Sequence, residues 1–198
     1  MRRCTLPIAS FALILVAGCT TPVEHPTGSG FLGDAAVYDR LERSDRDPNI
    51  FILRSSRLSY RSYQMVMLDP VQVIGHDGST LSLEDRAETI ELMRMFREVM
   101  QIEVGERYPI VDNPGPKTIR LRTAIVGYDP RDETMLGLGT GASLEAEMAD
   151  SLSGDRIVAA VAHTQGNAAP GRPARQRAHA LLTYWARLLR DRMDAERR

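Results

Sequence analysis

The chain has 198 residues, 43% of them hydrophobic and 26% charged, and 25 basic against 26 acidic side chains leave a net charge of −1. So even a balance argues against a nucleic-acid surface, and the hydrophobic share is enough for one ordinary core. Two cysteines exclude a disulfide-stapled scaffold, and the basic charge is almost all arginine, with Lys117 the single lysine.

Met1-Arg2-Arg3 is a cationic start, followed by an apolar run from Leu6 to Ala17 broken only by Pro7 and Ser10. The run is shorter than the about 20 residues a membrane-spanning helix needs, and its layout is that of an export signal. It ends in Val16-Ala17-Gly18-Cys19, which resembles the bacterial lipobox. Small residues there admit a membrane-embedded peptidase, and the thiol takes up a diacylglyceryl group. Charge, run length and tetrapeptide agree, which favours this reading over a plain signal peptide with a chance cysteine or a short uncleaved anchor. The resemblance implies a signal peptide over 1–18 and acyl chains, palmitate among them, on Cys19. Cys4 leaves with the signal, so no free thiol remains. Thr20 follows Cys19 in place of the aspartate that retains such proteins in the inner membrane. The expected location is therefore the periplasmic side of the outer membrane. Two or more acyl chains at about 0.8 kcal/mol per buried methylene hold a protein stably.

Residues 19–30 carry the lipidated cysteine and "TTPVEHPTGSG", a composition expected of a flexible tether, with His25 solvated in it. Residues 31–198 are expected to form one periplasmic α+β domain. "GSGFLGDAAVYDRLERS" reads as an arm with about one helical turn, and "NIFILRSS" as a strand. In "SYQMVMLDPVQVIG", Tyr63, Met65 and Met67 alternate with Gln64, Val66 and Leu68, and Pro70 implies an edge, bulge or bend at Asp69-Pro70. "GHDGST" is a turn. The clearest helix is "SLEDRAETIELMRMFREVMQIEVGERY", opened by a Ser82/Asp85 near-capping box. Leu92, Met93, Met95, Phe96, Val99 and Met100 share one half of its wheel, and the methionines there are core filler.

Tyr108 and Ile110 mark a short strand and "DNPGP" a turn. Ile119, Leu121, Thr123 and Ile125 then alternate with Arg120, Arg122 and Ala124, which predicts one inward and one solvated face. "GLGTGAS" lacks a following lysine and leads into a strand, so it is a bend rather than a phosphate loop. "ASLEAEMADSLSGDRIVAAVAHTQG" reads as a hairpin, "QGNAAPGRP" as a loop, and a last helix carries Ala178, Leu181, Trp185 and Leu188, widened by Leu182 and Leu189. The predicted fold class is α+β: two layers, a mostly antiparallel sheet with two amphipathic helices packed on one face, preceded by a signal peptide and flexible tether.

The chemistry is sparse. His25, His76, His163 and His179 are scattered, no pair stands at i, i+4, and no Gly-x-Ser-x-Gly turn occurs. No cofactor, no metal ligand set and no catalytic residue is expected. The best constellation is Glu145, Glu147 and Asp150 on the strand "SLEAEMAD", with Arg156 across the turn and Arg120 and Arg122 on another outward face. It reads either as a metal or carbohydrate site on exposed sheet or, with more weight, as a charged face paired across strands.

With those segments in order, "SGFL" at 29–32, "LDPVQV" at 68–73, "YPIVDNPGP" at 108–116, "EAEMADSLSG" at 145–154 and "WARLL" at 185–189 resemble bacterial lipoproteins of domain of unknown function family 3313. The likeness covers about residues 28–192. "GDAAVYDRL" is longer than the Gly-Phe-Leu-acid-Tyr opening of that family. The resemblance implies an envelope location and a periplasmic α+β domain, and it supplies no catalytic residues. The expected function is thus a non-enzymatic, lipid-anchored envelope protein with the membrane and an envelope protein as partners. The alternatives are a metal-dependent or carboxylate-based hydrolase using Glu145, Glu147 and Asp150 on the exposed sheet face, and a small-lipid carrier with a cavity between helices and sheet.

Overall fold

The computed structural model describes residues 25–75, 87–129, 131, 136–138, 141–164 and 172–195. The signal segment, Val16, Ala17, Gly18, Cys19, His76, the "GHDGST" turn, the Ser82/Asp85 cap and most of the "QGNAAPGRP" loop lie outside them. In chain order come α1 (Ala35–Asp39), β1 (Glu42–Arg43), β2 (Ile50–Arg54), a 3-10 turn at Tyr60–Ser62, β3 (Met65–Leu68), β4 (Gln72–Gly75) and α2 (Ala87–Gly105). β5 (Ile110–Val111), β6 (Thr118–Tyr128), β7 (Ser143–Asp150), β8 (Arg156–His163) and α3 (Ala174–Ala195) follow.

All eight strands form one sheet in the order β1-β2-β8-β7-β6-β3-β5, with β4 beside β6 beyond the end of β3. The β1-β2, β2-β8, β8-β7 and β7-β6 pairs are antiparallel, as expected of a mostly antiparallel sheet. The β3, β4 and β5 pairings are parallel. The cause is α2. A strand, a covering helix and a returning strand place the two strands side by side and parallel, and hairpin connections cannot do this.

The break at Asp69-Pro70 is where the predicted long strand becomes β3 and β4, both on the same edge of β6. Pro70 has no N–H for a ladder. Asp69 spans the gap: its N–H donates to Leu121 O, and its carboxylate takes a bidentate pair from Arg120 at 2.7–3.0 Å.

α2 and α3 cover one sheet face. Leu92, Phe96, Leu182 and Trp185 are wholly buried against Val66, Leu121, Ile125, Leu144 and Met148, and Phe96 meets Trp185 edge-on at 6.4 Å. The methionine stripe is core, as its spacing predicts: Met95 and Met100 are buried and Met93 is packed against the cluster. The same packing fills the helix–sheet interface that a lipid carrier would need to leave open.

"GLGTGAS" does run into a strand, β7. Gly137 is there for room: a Cβ at this position (φ +82°) would lie 2.2 Å from the Tyr128 ring, and on β6 a Cβ at Gly127 (φ +79°) would lie 2.7 Å from Gly141 O.

The opposite face departs from expectation. Residues 25–41 lie across β6, β7, β8 and β2 as a folded-back arm. Phe31, Leu32, Tyr38 and Leu41 form a second buried cluster with Phe51, Ile74, Ala124, Ala159 and Val161. The run 25–30, expected to be the end of a flexible tether, belongs to this arm. Pro26 is buried, His25 Nε2 is 3.1 Å from Leu41 O, and the His25 ring stands edge-on to Phe51 at 5.5 Å. His25 is exposed as expected of a solvated group, and it is also docked.

Candidate functional site: the covered carboxylates

Alternation along β7 turns Leu144, Ala146 and Met148 toward the helices and Glu145 and Glu147 toward the arm. Ala159 and Val161 on β8 face the arm too. Met148 pairs with Val158 and Ala149 with Arg156, so Ile157 is an extra residue in β8. This bulge lets Ile157 and Val158 both join the helix-side core and places Arg156 beside Glu147.

Glu145, Glu147 and Asp150 were expected on an exposed surface. The structure corrects this: Glu145 is 1% exposed and Glu147 6%. Glu145 Oε2 accepts from Tyr38 Oη at 2.6 Å and Ser29 Oγ at 2.8 Å, both arm residues. Glu147 accepts from Arg122 Nη1 and Arg156 Nε, each at 2.5 Å. Arg156 also donates to Leu32 O at 2.5 Å, and the Arg122 guanidinium lies over the Phe31 ring at 4.9 Å. The sequence-level alternative of opposite charges paired across strands describes Glu147 well, except that the pairing is covered. Tyr38, which reaches Glu145, lies within "GDAAVYDRL".

Asp150 stands apart at the far end of β7. Its Oδ1 accepts from the N–H groups of Leu152 and Ser153 at 3.0 and 2.8 Å, and its Oδ2 accepts from Tyr63 Oη at 2.9 Å. Those turn amides, Ser153 first, hold its carboxyl below the usual range. Burial and Asp150 together push the Tyr63 hydroxyl up to about 12. This aspartate shapes the hairpin turn. Ser151 then locks that turn to "DNPGP": its Oγ accepts from Gly115 N at 3.1 Å and donates to Gly115 O at 2.9 Å.

Three carboxylates therefore have three separate tasks: docking the arm, neutralising two arginines and closing a turn. Among the described residues no group of three or more His, Cys, Asp or Glu is arranged to hold a metal ion. A cleft of about 300 Å³ lies elsewhere, at the β1–β2 edge against α3, lined in part by Arg43, Ser44, Arg54 and Arg192. Among the described residues, no helix is long and apolar enough to cross a membrane.

Burial raises the Glu145 carboxyl above its ordinary value, and the Tyr38 and Ser29 hydrogen bonds oppose that shift without cancelling it. His163, at the end of β8 with its ring edge-on to Phe51 at 5.9 Å, shifts the other way. Burial first and the Arg43 charge second lower its pKa below 6.5. A depressed histidine pKa means the unfolded chain takes up a proton before the folded one does. Stability is then full above about pH 6.5 and declines as pH falls toward the folded value. Glu145 has the opposite sign, its folded form gaining relative stability as pH drops through its raised pKa. A urea-midpoint series from pH 7.5 to 5.5 should therefore fall more steeply, or rise less, for the parent than for His163→Gln, the Glu145 contribution being common to both. A parent and variant with parallel profiles would contradict this assignment.

Sequence reasoning missed Ser29, Phe31, Leu32 and Tyr38 as partners of the β7 carboxylates. A signal was present: Ala124, Ala149, Ala159 and Val161 occupy the supposed solvent face of β6–β8, and an open face has no need of so many apolar side chains.

A search of curated proteins finds no match to the sequence. Among solved structures, a DUF4136 family protein from Bacteroides thetaiotaomicron VPI-5482 is similar with a TM-score of 0.39 and 14% identity, covering 74% of this chain and 98% of that one. The PelC dodecamer from Paraburkholderia phytofirmans gives a TM-score of 0.41 and 11% identity, covering 75% and 99%. A family model described as "Protein of unknown function (DUF3313)" matches residues 27–189. That span begins within the docked arm and ends on α3, and the chain belongs to this family.

Proposed function

We propose that the protein is a lipid-anchored, non-enzymatic binding or accessory protein of the bacterial envelope, held by acyl chains on Cys19 to the periplasmic side of the outer membrane. The observation that carries this reading is the cationic, apolar start ending in Val16-Ala17-Gly18-Cys19. The disposition of the carboxylates supports its non-enzymatic side. A hydrolase needs carboxylates converging on an accessible pocket, and Glu145 and Glu147 are covered and bonded within the fold. Binding has an available mode, since β4 has β6 as its one strand neighbour among the described residues and can accept an added strand.

The test is fractionation with mass spectrometry. The parent should sediment with outer membrane and yield an acylated peptide beginning at Cys19, and Cys19→Ser should be neither acylated nor membrane-bound. An unmodified sulfur in the parent, or a Cys19→Ser protein that sediments as the parent does, overturns the proposal.

A further inference from the structure

The sheet has two distinguishable ends, and the arm begins at one of them. His25 touches Leu41 O and Phe51. Phe51 in turn meets His163, the last residue of β8, which pairs with Ser143, the first residue of β7. His163 N–H also donates to Asn49 O, so the 44–49 loop projects from this same end. The arm then runs toward the other end: Ser29 reaches Glu145, and Leu32 reaches Arg156. At that far end stands the β7–β8 turn, with Leu152 65% exposed. The eight residues of β7 separate the two ends by about 23 Å at 3.3 Å per residue.

Only residues 20–24 lie between Cys19 and the docked His25. Six Cα-to-Cα steps at 3.3–3.6 Å span at most about 22 Å, no more than the separation of the two ends along β7. The geometry points to a fixed stance on the membrane: the end carrying His25, His163 and the 44–49 loop faces the lipid surface, and the β7–β8 turn with Leu152 points away from it. This inference rests on the lipid anchor proposed above and adds the surface that meets the membrane. A leash fastened to a loose tether would let the domain turn freely. This one is fastened to a segment held by Glu145, Arg156 and a buried apolar cluster, so it constrains rotation as well as distance.

Site-directed labelling tests it on the full acylated chain. Cys4 leaves with the signal and Cys19 is consumed by acylation, so an introduced cysteine is the one reactive thiol. Asp45→Cys at the near end and Leu152→Cys at the far end, both at exposed positions, are labelled with a fluorophore. Each is reconstituted into phosphatidylethanolamine–phosphatidylglycerol vesicles containing headgroup-nitroxide lipid. Quenching should be several-fold stronger at position 45 than at 152. A Gly/Ser insertion of roughly 30 residues after Glu24, with an r.m.s. reach of about 30 Å, should erase the difference while leaving acylation intact. Equal quenching in an acylated parent overturns the stance and leaves the anchor standing; a difference that survives the insertion overturns the short leash as the cause of the stance. A parent without the acyl mass overturns both.

Discussion

A chain beginning at His25 is expected to unfold at the same midpoint as one beginning at Thr20, whereas a chain beginning at Glu42 should lose its cooperative transition or melt far lower. The contrast follows from what residues 25–41 cover. Removing them uncovers Phe51, now 2% exposed, and Val161, now 1%. Each is a side chain whose full burial is worth about 1.5–3 kcal/mol. It also leaves Glu145 facing the gap without its two donors and Arg156 without Leu32 O. A net loss of at least about 4 kcal/mol lowers the midpoint by roughly 8–16 °C for a domain of this size. Thermal scans of the three soluble chains read this directly, with a dye for exposed apolar surface as the second observable. If the Glu42 chain melts as the others do, the arm is an ornament on a self-sufficient sheet and its role is misjudged.

Glu147→Ala is the most damaging single change expected on that face. The variant leaves two guanidiniums, Arg122 and Arg156, crowded together under Phe31 and Leu32 without their shared counter-ion. Breaking a buried pair by removing one partner costs about 3–5 kcal/mol. The arginine side chains are 34% and 30% exposed, so water screens part of that and the expected loss is about 2–4 kcal/mol. The companion variant removes all three charges at once, Glu147→Met with Arg122→Met and Arg156→Met. Replacing a whole buried ionic cluster with apolar side chains of similar size is often neutral or stabilising. The triple variant should therefore recover most of the lost midpoint in urea titrations. A triple variant as unstable as Glu147→Ala would mean the arginines hold the arm by their hydrogen bonds and stacking, rather than merely needing neutralisation.

The sequence shows clearly whatever rests on local periodicity. α2 and α3 announce themselves by stripes: Leu92, Phe96 and Val99 are buried as read, and in α3 Ala178 and Trp185 are buried with the widening Leu182 and Leu189, whereas Leu181 and Leu188 are half-buried at the edge of the stripe. The β7–β8 hairpin is equally plain from its alternation about "SLSGD". Parallel pairing of β3 with β6 was not visible, since strand direction depends on where α2 crosses and not on side-chain order. The covered face was hidden for a different reason. Glutamate and arginine alternating with alanine look like a solvated surface until their partners are known, and the partners of Glu145 lie 107 and 116 residues away. Residues 29–32 and 145–147, which carried two separate pieces of the family resemblance, are neighbours in space. Proximity of that kind has no trace in composition or spacing.

The arm also sets an order of events during biosynthesis. It is the first part of the domain to leave the ribosome and among the last able to settle, because Leu32 has no seat until Arg156, 124 positions later, has been made. Contacts so distant along the chain form slowly, after the intervening loop has closed. Until that contact forms, residues 25–41 have only part of the surface on which they dock. Completion of the β7–β8 hairpin is the moment at which the arm gains both Glu145 and Arg156 as partners.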